Sequence, residues 1–427
     1  MSARDTLKLL RAYESPNVTF IEKDGSWPIV WERARGMHVW DARRKRYLDL
    51  TAAFGVSAAG HANARVVKAG QRQMSKLLHA MGDVHPHRLK AELARQLSAL
   101  TFERWAKRRG RTIFCNSGFE AVEAALKTAL LATGKRRVIA FEGGYHGLGY
   151  GALNATHREM FRTPFARQSG QFGDFVAFPV TDKDAVEVTI AVEDAMRTGE
   201  VGAVLVEPVQ GRGGVRIPSG ELLPMLRRVC DAHGALLIVD EVYTGFGRTG
   251  RWFACEHSKT VPDLICLGKA LAGGFPISAC VGDASLIERA WPMSEGEAMH
   301  TSTFLGHPVG CAMALAQIAE IKHRRLVDLS AASGKYLLEL LRKLKHRQLQ
   351  MEARGLGLMV GVELRTVDGG PATNTALQVI KEMLKSGFIL LPEGGGNVIG
   401  FTPPLIISRG QIKQAVRALA TVLLEIA

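Results

Sequence analysis

The sequence contains no run of apolar residues long enough to cross a membrane as a helix. Such a helix needs ~20 consecutive apolar residues, and charged residues interrupt every longer stretch of this chain. Residues 1–5 lead into a charged segment that lacks the apolar core of a signal peptide. The sequence therefore predicts a cytoplasmic protein with no membrane partner.

Cysteine is scarce and carries no pairing motif. The chain has six cysteines in 427 residues, and no two of them form a Cys-x-x-Cys pair. Most lie in apolar stretches, which is typical of small core residues in a reducing compartment. We therefore predict no disulfide framework and no metal site. The six are Cys115, Cys230, Cys255, Cys266, Cys280 and Cys311.

Acidic residues are fewer than basic ones. The chain has 55 Lys and Arg against 41 Asp and Glu, a net charge of +14, and a surplus of that size can attract nucleic acid. The basic runs at 43–46, 107–109 and 322–325 are far apart in the sequence, which is typical of solvated helix ends and loops. We therefore predict no nucleic-acid partner. A nucleic-acid-binding protein on a retired enzyme scaffold is kept as an alternative.

No Gly-x-Gly-x-x-Gly motif follows a first strand with an acid ~20 residues later, so we set aside a dinucleotide-binding dehydrogenase. Short, continuous apolar runs instead alternate with helical patterns between residues 111 and 282. Such runs are typical of parallel strands that are buried on both faces. They predict an α/β fold whose mostly parallel sheet is wrapped by helices. The runs are 112–115, 137–141, 203–206, 235–239 and 264–267.

The two ends of the chain have a different pattern from the middle. Residues 28–50 alternate short apolar runs with turn residues, which predicts an antiparallel hairpin. Beyond a long helix over 308–322, the pattern predicts a helix, a strand at 359–364, a second helix, short strands and a final helix from Gln411. The Glu-Gly-Gly-Gly-Asn segment 393–397 predicts a flexible link.

These patterns divide the chain into three predicted parts. Residues 1–60 form an N-terminal segment that packs with a small domain, 61–325 form a large domain, and 326–427 form the small α+β domain itself.

Three polar motifs come directly after predicted strands. The segment from Ser117 to Glu120 opens a helix as a capping box, and a helix N-terminus at the carboxyl end of a strand attracts anions; the alternative is an ordinary capped helix. Asp240 and Glu241 end another buried strand, where either could be a metal ligand, a general base or the partner of a cationic ring nitrogen. Lys269 ends the next strand in an apolar setting that favours a neutral, nucleophilic amine.

Together the three motifs match the chemical needs of pyridoxal 5′-phosphate. Its phosphate needs an anion site, its pyridine nitrogen needs a carboxylate, and its aldehyde needs a lysine. Tyr145, followed by His146, supplies a ring that could stack on the cofactor, and the alternative is an aromatic residue of the core.

The segment 239–250, Val-Asp-Glu-Val-Tyr-Thr-Gly-Phe-Gly-Arg-Thr-Gly, together with Gly-Lys-Ala-Leu at 268–271, resembles the class III aminotransferases. These are fold-type I pyridoxal-phosphate enzymes that include the ornithine, acetylornithine and 4-aminobutyrate aminotransferases. The resemblance runs from 47–49 through 207–211 to 402–405. It implies a large cofactor-binding domain, a smaller α+β domain formed by both chain ends, and a homodimer with shared active sites.

The resemblance also implies roles for individual residues. Lys269 would bond to the cofactor aldehyde and move a proton, and Asp240 would pair with the pyridine nitrogen. Val242 and Tyr145 would cover the two faces of the ring, and Thr303 would reach the phosphate of the neighbouring subunit. The cofactor-binding residues implied in this way are Ser117, Gly118, Tyr145, His146, Glu207, Asp240, Val242, Lys269 and Thr303, of which Lys269 and Asp240 are catalytic.

Four positions depart from the ornithine-type pattern. Leu148 and Gly400 stand where those members carry arginines, and Arg212 stands where many carry the glutamate that pairs with the second arginine. Tyr243 stands where glutamine is frequent, which leaves contact with the ring hydroxyl open. We hypothesise that Arg212 reaches into the space beside Gly400 and binds a substrate carboxylate or another anion. The alternative is a structural ion pair with a nearby acid, or a side chain in solvent.

Two further residues are candidates for the substrate pocket. Phe54 and His85 lie in segments that face this pocket in ornithine-type enzymes, although core packing is the preferred interpretation of Phe54. The predicted reaction moves an amino group from a primary amine, an ω-amine above all, or an amino acid to a keto acid such as pyruvate or 2-oxoglutarate. Because both family arginines are missing, an aminomutase or a phospho-lyase on the same fold is the alternative.

Overall fold

The computed structural model describes residues 1–23 and 26–426 of the chain. Within these ranges the α-helices are α1 (Ala3–Tyr13), α2 (Ala52–Gly55), α3 (Ala64–Lys76), α4 (Arg88–Leu100), α5 (Phe102–Ala106), α6 (Gly118–Thr133), α7 (Tyr150–Leu153), α8 (Glu159–Arg162), α9 (Asp182–Met196), α10 (Leu222–His233), α11 (Ala284–Ala290), α12 (Pro308–His323), α13 (Leu326–Leu341), α14 (Thr373–Lys385) and α15 (Arg409–Glu425). The strands are β1 (Trp31–Arg35), β2 (His38–Asp41), β3 (Arg46–Asp49), β4 (Gly110–Cys115), β5 (Arg137–Phe141), β6 (Gly173–Val176), β7 (Val201–Val206), β8 (Leu236–Asp240), β9 (Leu264–Leu267), β10 (Ser278–Asp283), β11 (Leu349–Leu356), β12 (Met359–Thr366), β13 (Phe388–Ile389), β14 (Leu391–Glu393) and β15 (Val398–Phe401).

A seven-stranded sheet in the order β4-β10-β9-β8-β7-β5-β6 forms the centre of the molecule. Strand β10 runs antiparallel to both of its neighbours, and the other pairs are parallel. The prediction of a mostly parallel sheet is therefore confirmed, and all five predicted runs are strands. Strands β6 and β10 were not predicted, because Gly and Asp in each of them shorten the apolar run.

Helices cover both faces of this sheet. Along β7, Ala203 and Leu205 face the cluster that contains the buried residues of α6, while Val204 and Val206 face the larger cluster that contains those of α10. Every residue of β7 is buried, which explains why its sequence is continuously apolar rather than alternating. All six cysteines are buried and unpaired, as small core residues.

Strands from both ends of the chain combine into the smaller α+β part. The hairpin of β1 and β2 continues into β3, and β3 pairs in parallel with β13 near the C-terminus. A second antiparallel sheet in the order β11-β12-β15-β14 completes this part. The predicted fold class is confirmed, whereas the boundaries at residues 60 and 325 stay a prediction. No helix in the described ranges is long and apolar enough to cross a membrane.

The prediction of a flexible link at 393–397 is wrong. Strands β14 and β15 are antiparallel neighbours with Glu393 opposite Val398, so this segment is their tight turn. Gly394 and Gly396 adopt φ values of +63° and +90°, which other residues rarely adopt. Glu393 and Asn397 are both only 6% exposed. The glycines therefore allow the backbone conformation of an ordered turn.

Arg248 joins the central sheet to the C-terminal part. It is 1% exposed, and its Nη1 donates to the backbone oxygens of Leu358 (2.9 Å) and Pro403 (2.5 Å). Burial lowers the pKa of Arg248 to about 10. Because both carbonyls stay buried when the guanidinium is removed, they would lose partners that water does not replace.

We expect Arg248→Met to lower the free energy of unfolding by about 2–4 kcal/mol, the usual cost of leaving such groups without partners. Thermal unfolding followed by circular dichroism measures the effect. Arg251→Met is the matched control, because Arg251 is exposed three residues further along the same loop. Equal unfolding midpoints for the two variants would contradict this role of Arg248.

Candidate active site

The predicted motifs meet at the carboxyl edge of the central sheet. Asp240 ends β8, and Lys269 lies two residues beyond the parallel neighbour β9. Helix α6 starts at the same edge. Its first residue, Gly118, lies close to Gly268, since a Cβ built on Gly268 would be 3.7 Å from Gly118 Cα and 3.3 Å from Val242 Cγ1. The structure therefore brings together the lysine, the carboxylate and the helix N-terminus.

Asp240 is held by donors on both of its carboxylate oxygens. Its Oδ2 lies 2.8 Å from Nδ1 of His146, and its Oδ1 accepts a 3.0 Å hydrogen bond from the backbone N–H of Val242. Burial disfavours the charged form of His146, but the hydrogen bond and charge of Asp240 outweigh it, and the pKa of His146 is raised. His146 thus orients Asp240 and does not stack as an exposed ring.

Glu241, which the sequence leaves as an equal candidate, points elsewhere. Its carboxylate accepts hydrogen bonds from the Thr244 hydroxyl and from the backbone N–H of Cys255, the latter at 2.8 Å. Burial raises the pKa of Glu241, which is 0% exposed. Glu241 therefore stabilises the loop after β8 through these hydrogen bonds. The carboxylate available to the site is that of Asp240.

Lys269 has the environment of a reactive amine. Burial lowers the pKa of Lys269, and the charge of Asp240 offsets only part of this effect. The backbone of Lys269 has a φ of +34°, a strained conformation for a residue with a side chain, and such strain clusters at functional sites. The Nζ atom lies 4.1 Å from the centre of the Tyr243 ring, so the amine packs against the face of this ring.

Two glycines pack against opposite edges of the Tyr243 ring. A Cβ on Gly55 would lie 2.6 Å from Tyr243 Cε2, and a Cβ on Gly211 would overlap the opposite edge. The hydroxyl lies 3.2 Å from Oγ1 of Thr402, and burial raises the pKa of Tyr243. The Tyr243 ring is thus held in place, and Lys269 packs against it.

Glu207 joins two loops at this edge. Its two carboxylate oxygens accept 3.0 Å hydrogen bonds from the backbone N–H groups of Tyr145 and Gly211. Burial raises the pKa of Glu207. Glu207 therefore fixes the loop that carries Tyr145 and His146 relative to the loop that carries Arg212.

The start of α6 is a capping box. The Glu120 carboxylate accepts hydrogen bonds from the backbone N–H groups of Asn116 (2.8 Å) and Ser117 (2.7 Å), and the Ser278 hydroxyl donates to Ser117 O at 2.5 Å. The first N–H groups of a helix have no partner within it. A Cβ on Gly118 would lie 2.8 Å from Val242 Cγ1, so only glycine permits this close approach.

The family model for Aminotransferase class-III matches residues 20–423. This chain is a class III aminotransferase. The acetylornithine aminotransferase of Methanosarcina mazei is 37% identical to it over 395 residues, which cover 92% of each chain. The thermostable (S)-enantioselective omega-transaminase of Thermomicrobium roseum is 27% identical, with a TM-score of 0.92 over 100% of this chain and 99% of its own. The omega-transaminase of Pseudomonas jessenii, solved in complex with PMP, is 26% identical, with a TM-score of 0.90 over 98% and 97%.

Class III aminotransferases depend on pyridoxal 5′-phosphate, and the residues of this aminotransferase fit that group. An amine of lowered pKa, an oriented carboxylate and a helix N-terminus converge at one sheet edge, as the aldehyde, the pyridine nitrogen and the phosphate require. In addition, the buried Nε2 of His146 has no hydrogen-bond partner among the described residues.

The site of the aminotransferase differs from the sequence hypothesis at Gly400. The space beside Gly400 is filled by Glu393, because a Cβ on Gly400 would lie 2.9 Å from Glu393 Cγ. Arg212 lies instead with its Cζ 5.3 Å from the centre of the Tyr145 ring, and its backbone oxygen accepts a 2.8 Å hydrogen bond from Arg158. Neither Glu393 nor Arg158 is among the site residues predicted from the sequence. The glycine at position 400 was the one feature of the sequence that indicated space for another side chain there.

The remaining candidates lie on the surface of the described chain. The core interpretation of Phe54 is wrong, because Phe54 is 52% exposed at the end of the left-handed residues 52–54, next to Gly55. His85 and Thr303 are exposed on segments that touch each other, since the Thr301 hydroxyl donates to Asp83 at 2.5 Å. Leu148, at a missing arginine position, is 49% exposed.

Proposed function

We propose that this aminotransferase moves an amino group from a primary ω-amine or amino acid to a keto acid such as pyruvate or 2-oxoglutarate. The observation that carries the proposal is the meeting of Lys269 with the Asp240–His146 pair at the carboxyl edge of the sheet. The likeness to two omega-transaminases supports an ω-amine as donor.

Each residue of this group has a task in the proposed reaction. When bound, pyridoxal 5′-phosphate supplies an aldehyde that exchanges amino groups and a ring that stabilises negative charge. Lys269 would hold the cofactor covalently, and its free Nζ would carry a proton, which the lowered pKa of Lys269 favours. Asp240, oriented by His146, keeps a proton on the pyridine nitrogen. Val242 and Tyr145 would cover the ring, and Ser117 and Gly118 would bind the phosphate.

We also propose a homodimer with shared active sites. The segments 77–87 and 299–307 carry exposed apolar side chains, among them Met81 (55% exposed), Val84 (59%) and Phe304 (53%). Exposed apolar surface of this kind marks interaction sites. Thr303 lies among them and makes no hydrogen bond with its own described residues, so it is free to reach the phosphate in the neighbouring subunit. The unpaired cysteines support the reducing cytoplasm as its location.

A visible absorbance titration of the purified holoenzyme tests the proposed reaction. Single donors are added without an acceptor: ornithine, 4-aminobutyrate, β-alanine, glutamate, alanine and phosphoethanolamine. We expect at least one ω-amine to remove the visible band of the bound cofactor and one keto acid to restore it. Release of phosphate or ammonia, or a band that no donor changes, would contradict the proposal and favour a lyase or an aminomutase.

A further inference from the structure

The amine of Lys269 lies against an aromatic face. Its Nζ is 4.1 Å from the centre of the Tyr243 ring, and it has no hydrogen-bond or ion-pair partner within residues 1–23 and 26–426. A cation within about 6 Å of a ring centre is attracted by the negative charge that the π electrons concentrate on the face of the ring. This attraction acts on the ammonium form of the lysine and not on the neutral amine.

The hydroxyl of Tyr243 is occupied away from Lys269. The Thr402 hydroxyl donates its single proton to the backbone oxygen of Thr51 at 3.1 Å, so it has none to give to Tyr243. The Tyr243 O–H is therefore the donor across the 3.2 Å that separates it from Thr402 Oγ1. Thr402 thus holds the Tyr243 proton, and the part of Tyr243 that faces Lys269 is its ring.

The Tyr243 ring is fixed in this orientation from both edges. A Cβ on Gly211 would lie 2.4 Å from Tyr243 Cδ1, and a Cβ on Gly55 would lie 2.6 Å from Cε2. Gly55 follows the left-handed residues 52–54, whose backbone the buried Asp49 carboxylate holds. A ring that is fixed before it meets a cation binds it at a lower cost in conformational entropy.

The protonation of Lys269 also depends on the charges around it. The charged groups that face the amine or the ring are Asp240, Glu207, Arg212, Arg248 and Glu393. The three acids favour the ammonium form of Lys269, whereas burial, which has the largest effect, lowers its pKa. Tyr243 itself stays neutral, because burial raises its pKa. The ring face therefore adds an attraction for the ammonium that does not depend on the ionisation of another acid.

We propose that Tyr243 is a positioning residue whose ring face binds the ammonium form of Lys269 and holds its Nζ at the site when this atom is not bonded to the cofactor. The inference rests on the proposed function, in which a free Nζ carries a proton. It adds the group that keeps this proton on the amine. No covalent bond forms or breaks in the contact, since the proton stays on Nζ.

Trace acetylation of the enzyme loaded with pyridoxamine 5′-phosphate tests the inference, because Lys269 is then not bonded to the cofactor. Acetic anhydride at low concentration acetylates only neutral amines. Peptide mapping by mass spectrometry gives the extent of acetylation of Lys269 at each pH. The midpoint of this curve reports the pKa of Nζ without any turnover of the enzyme.

Two variants of Tyr243 separate the ring face from the hydroxyl. Tyr243→Leu keeps an apolar side chain and removes the face, so the midpoint for Lys269 should fall by about one pH unit. This is about a tenfold change in the acid dissociation constant, as expected for a desolvated cation on an aromatic face. Tyr243→Phe keeps the face and should restore most of the difference.

Two further variants complete the test. Gly211→Ala displaces the ring without changing Tyr243 or Lys269 and keeps the backbone N–H that Glu207 accepts, so the midpoint should again fall. Tyr336→Leu is the matched control. It removes a ring whose centre lies 5.1 Å from the guanidinium of Arg409, between α13 and α15, and should leave the Lys269 midpoint unchanged.

Two results would overturn the inference. One is an unchanged Lys269 midpoint in folded Tyr243→Leu; if this variant does not fold, an unchanged midpoint in Gly211→Ala has the same meaning. The other is an equal fall in Tyr243→Phe and Tyr243→Leu, since the hydroxyl would then hold the amine. Failure of the proposed function looks different, because no donor would change the cofactor band while the acetylation curves stay as expected.

Discussion

Replacement of Lys269 by alanine will lower the rate of amino transfer by about 10⁴-fold or more. The change removes both the covalent attachment of the cofactor and the amine that moves the proton, and proton transfer alone is worth about 10²- to 10⁴-fold. No neighbouring lysine can substitute, because the position of Nζ depends on the strained backbone of Lys269 and on the Tyr243 ring.

Single-turnover absorbance with the preferred donor measures this effect. Borohydride reduction followed by peptide mapping should place the cofactor on Lys269 in the unchanged enzyme and on no lysine in the variant. Lys135→Ala is the matched control: Lys135 is partly buried, and its Nζ donates to His233 O at the opposite edge of the central sheet. A Lys269→Ala variant that keeps a tenth of the rate would refute the assignment.

The sequence was sufficient to place Lys269 and Asp240 because their signals are local. Each follows a continuous apolar run, and adjacent parallel strands must end at the same edge. The capping box at the start of α6 is a local pattern as well. The fold class and the main chemical groups therefore follow from the order of the elements.

Glu393 could not be predicted because its position depends on contacts between distant segments. Its place in the site requires the pairing of β14 with β15, with Leu391 opposite Gly400, and the approach of Arg212 from a loop about 180 residues earlier in the chain. The glycines beside it predict flexibility from the sequence alone, although they shape a turn with buried ends.

The exposure of Phe54 was likewise hidden from the sequence. Residues 52–54 all have positive φ values between +48° and +61°, which no local pattern of Ala-Ala-Phe indicates. Asp49 stabilises this conformation by accepting hydrogen bonds from the backbone N–H groups of Thr51 (2.8 Å) and Ala53 (3.1 Å). The resulting turn directs Phe54 away from the core.

The adjacent carboxylates Asp240 and Glu241 give the second large effect and its own control. Asp240→Asn keeps the shape of the side chain but removes the charge that holds a proton on the cofactor ring. We expect amino transfer to fall about 10³-fold, the upper range for the loss of one preorganised electrostatic group. Cofactor binding through Lys269 should persist. The rate is measured by single-turnover absorbance, with cofactor content determined separately.

Glu241→Gln should show the opposite pattern. Because Glu241 bonds to Thr244 and to the backbone of Ala254 and Cys255, the change should leave amino transfer within about threefold and lower the free energy of unfolding by about 1–3 kcal/mol. Two variants one residue apart would then separate chemistry from stability. If Glu241→Gln instead abolished turnover in a folded protein while Asp240→Asn kept it, the cofactor nitrogen would have to face Glu241, and the site proposed here would be incorrect.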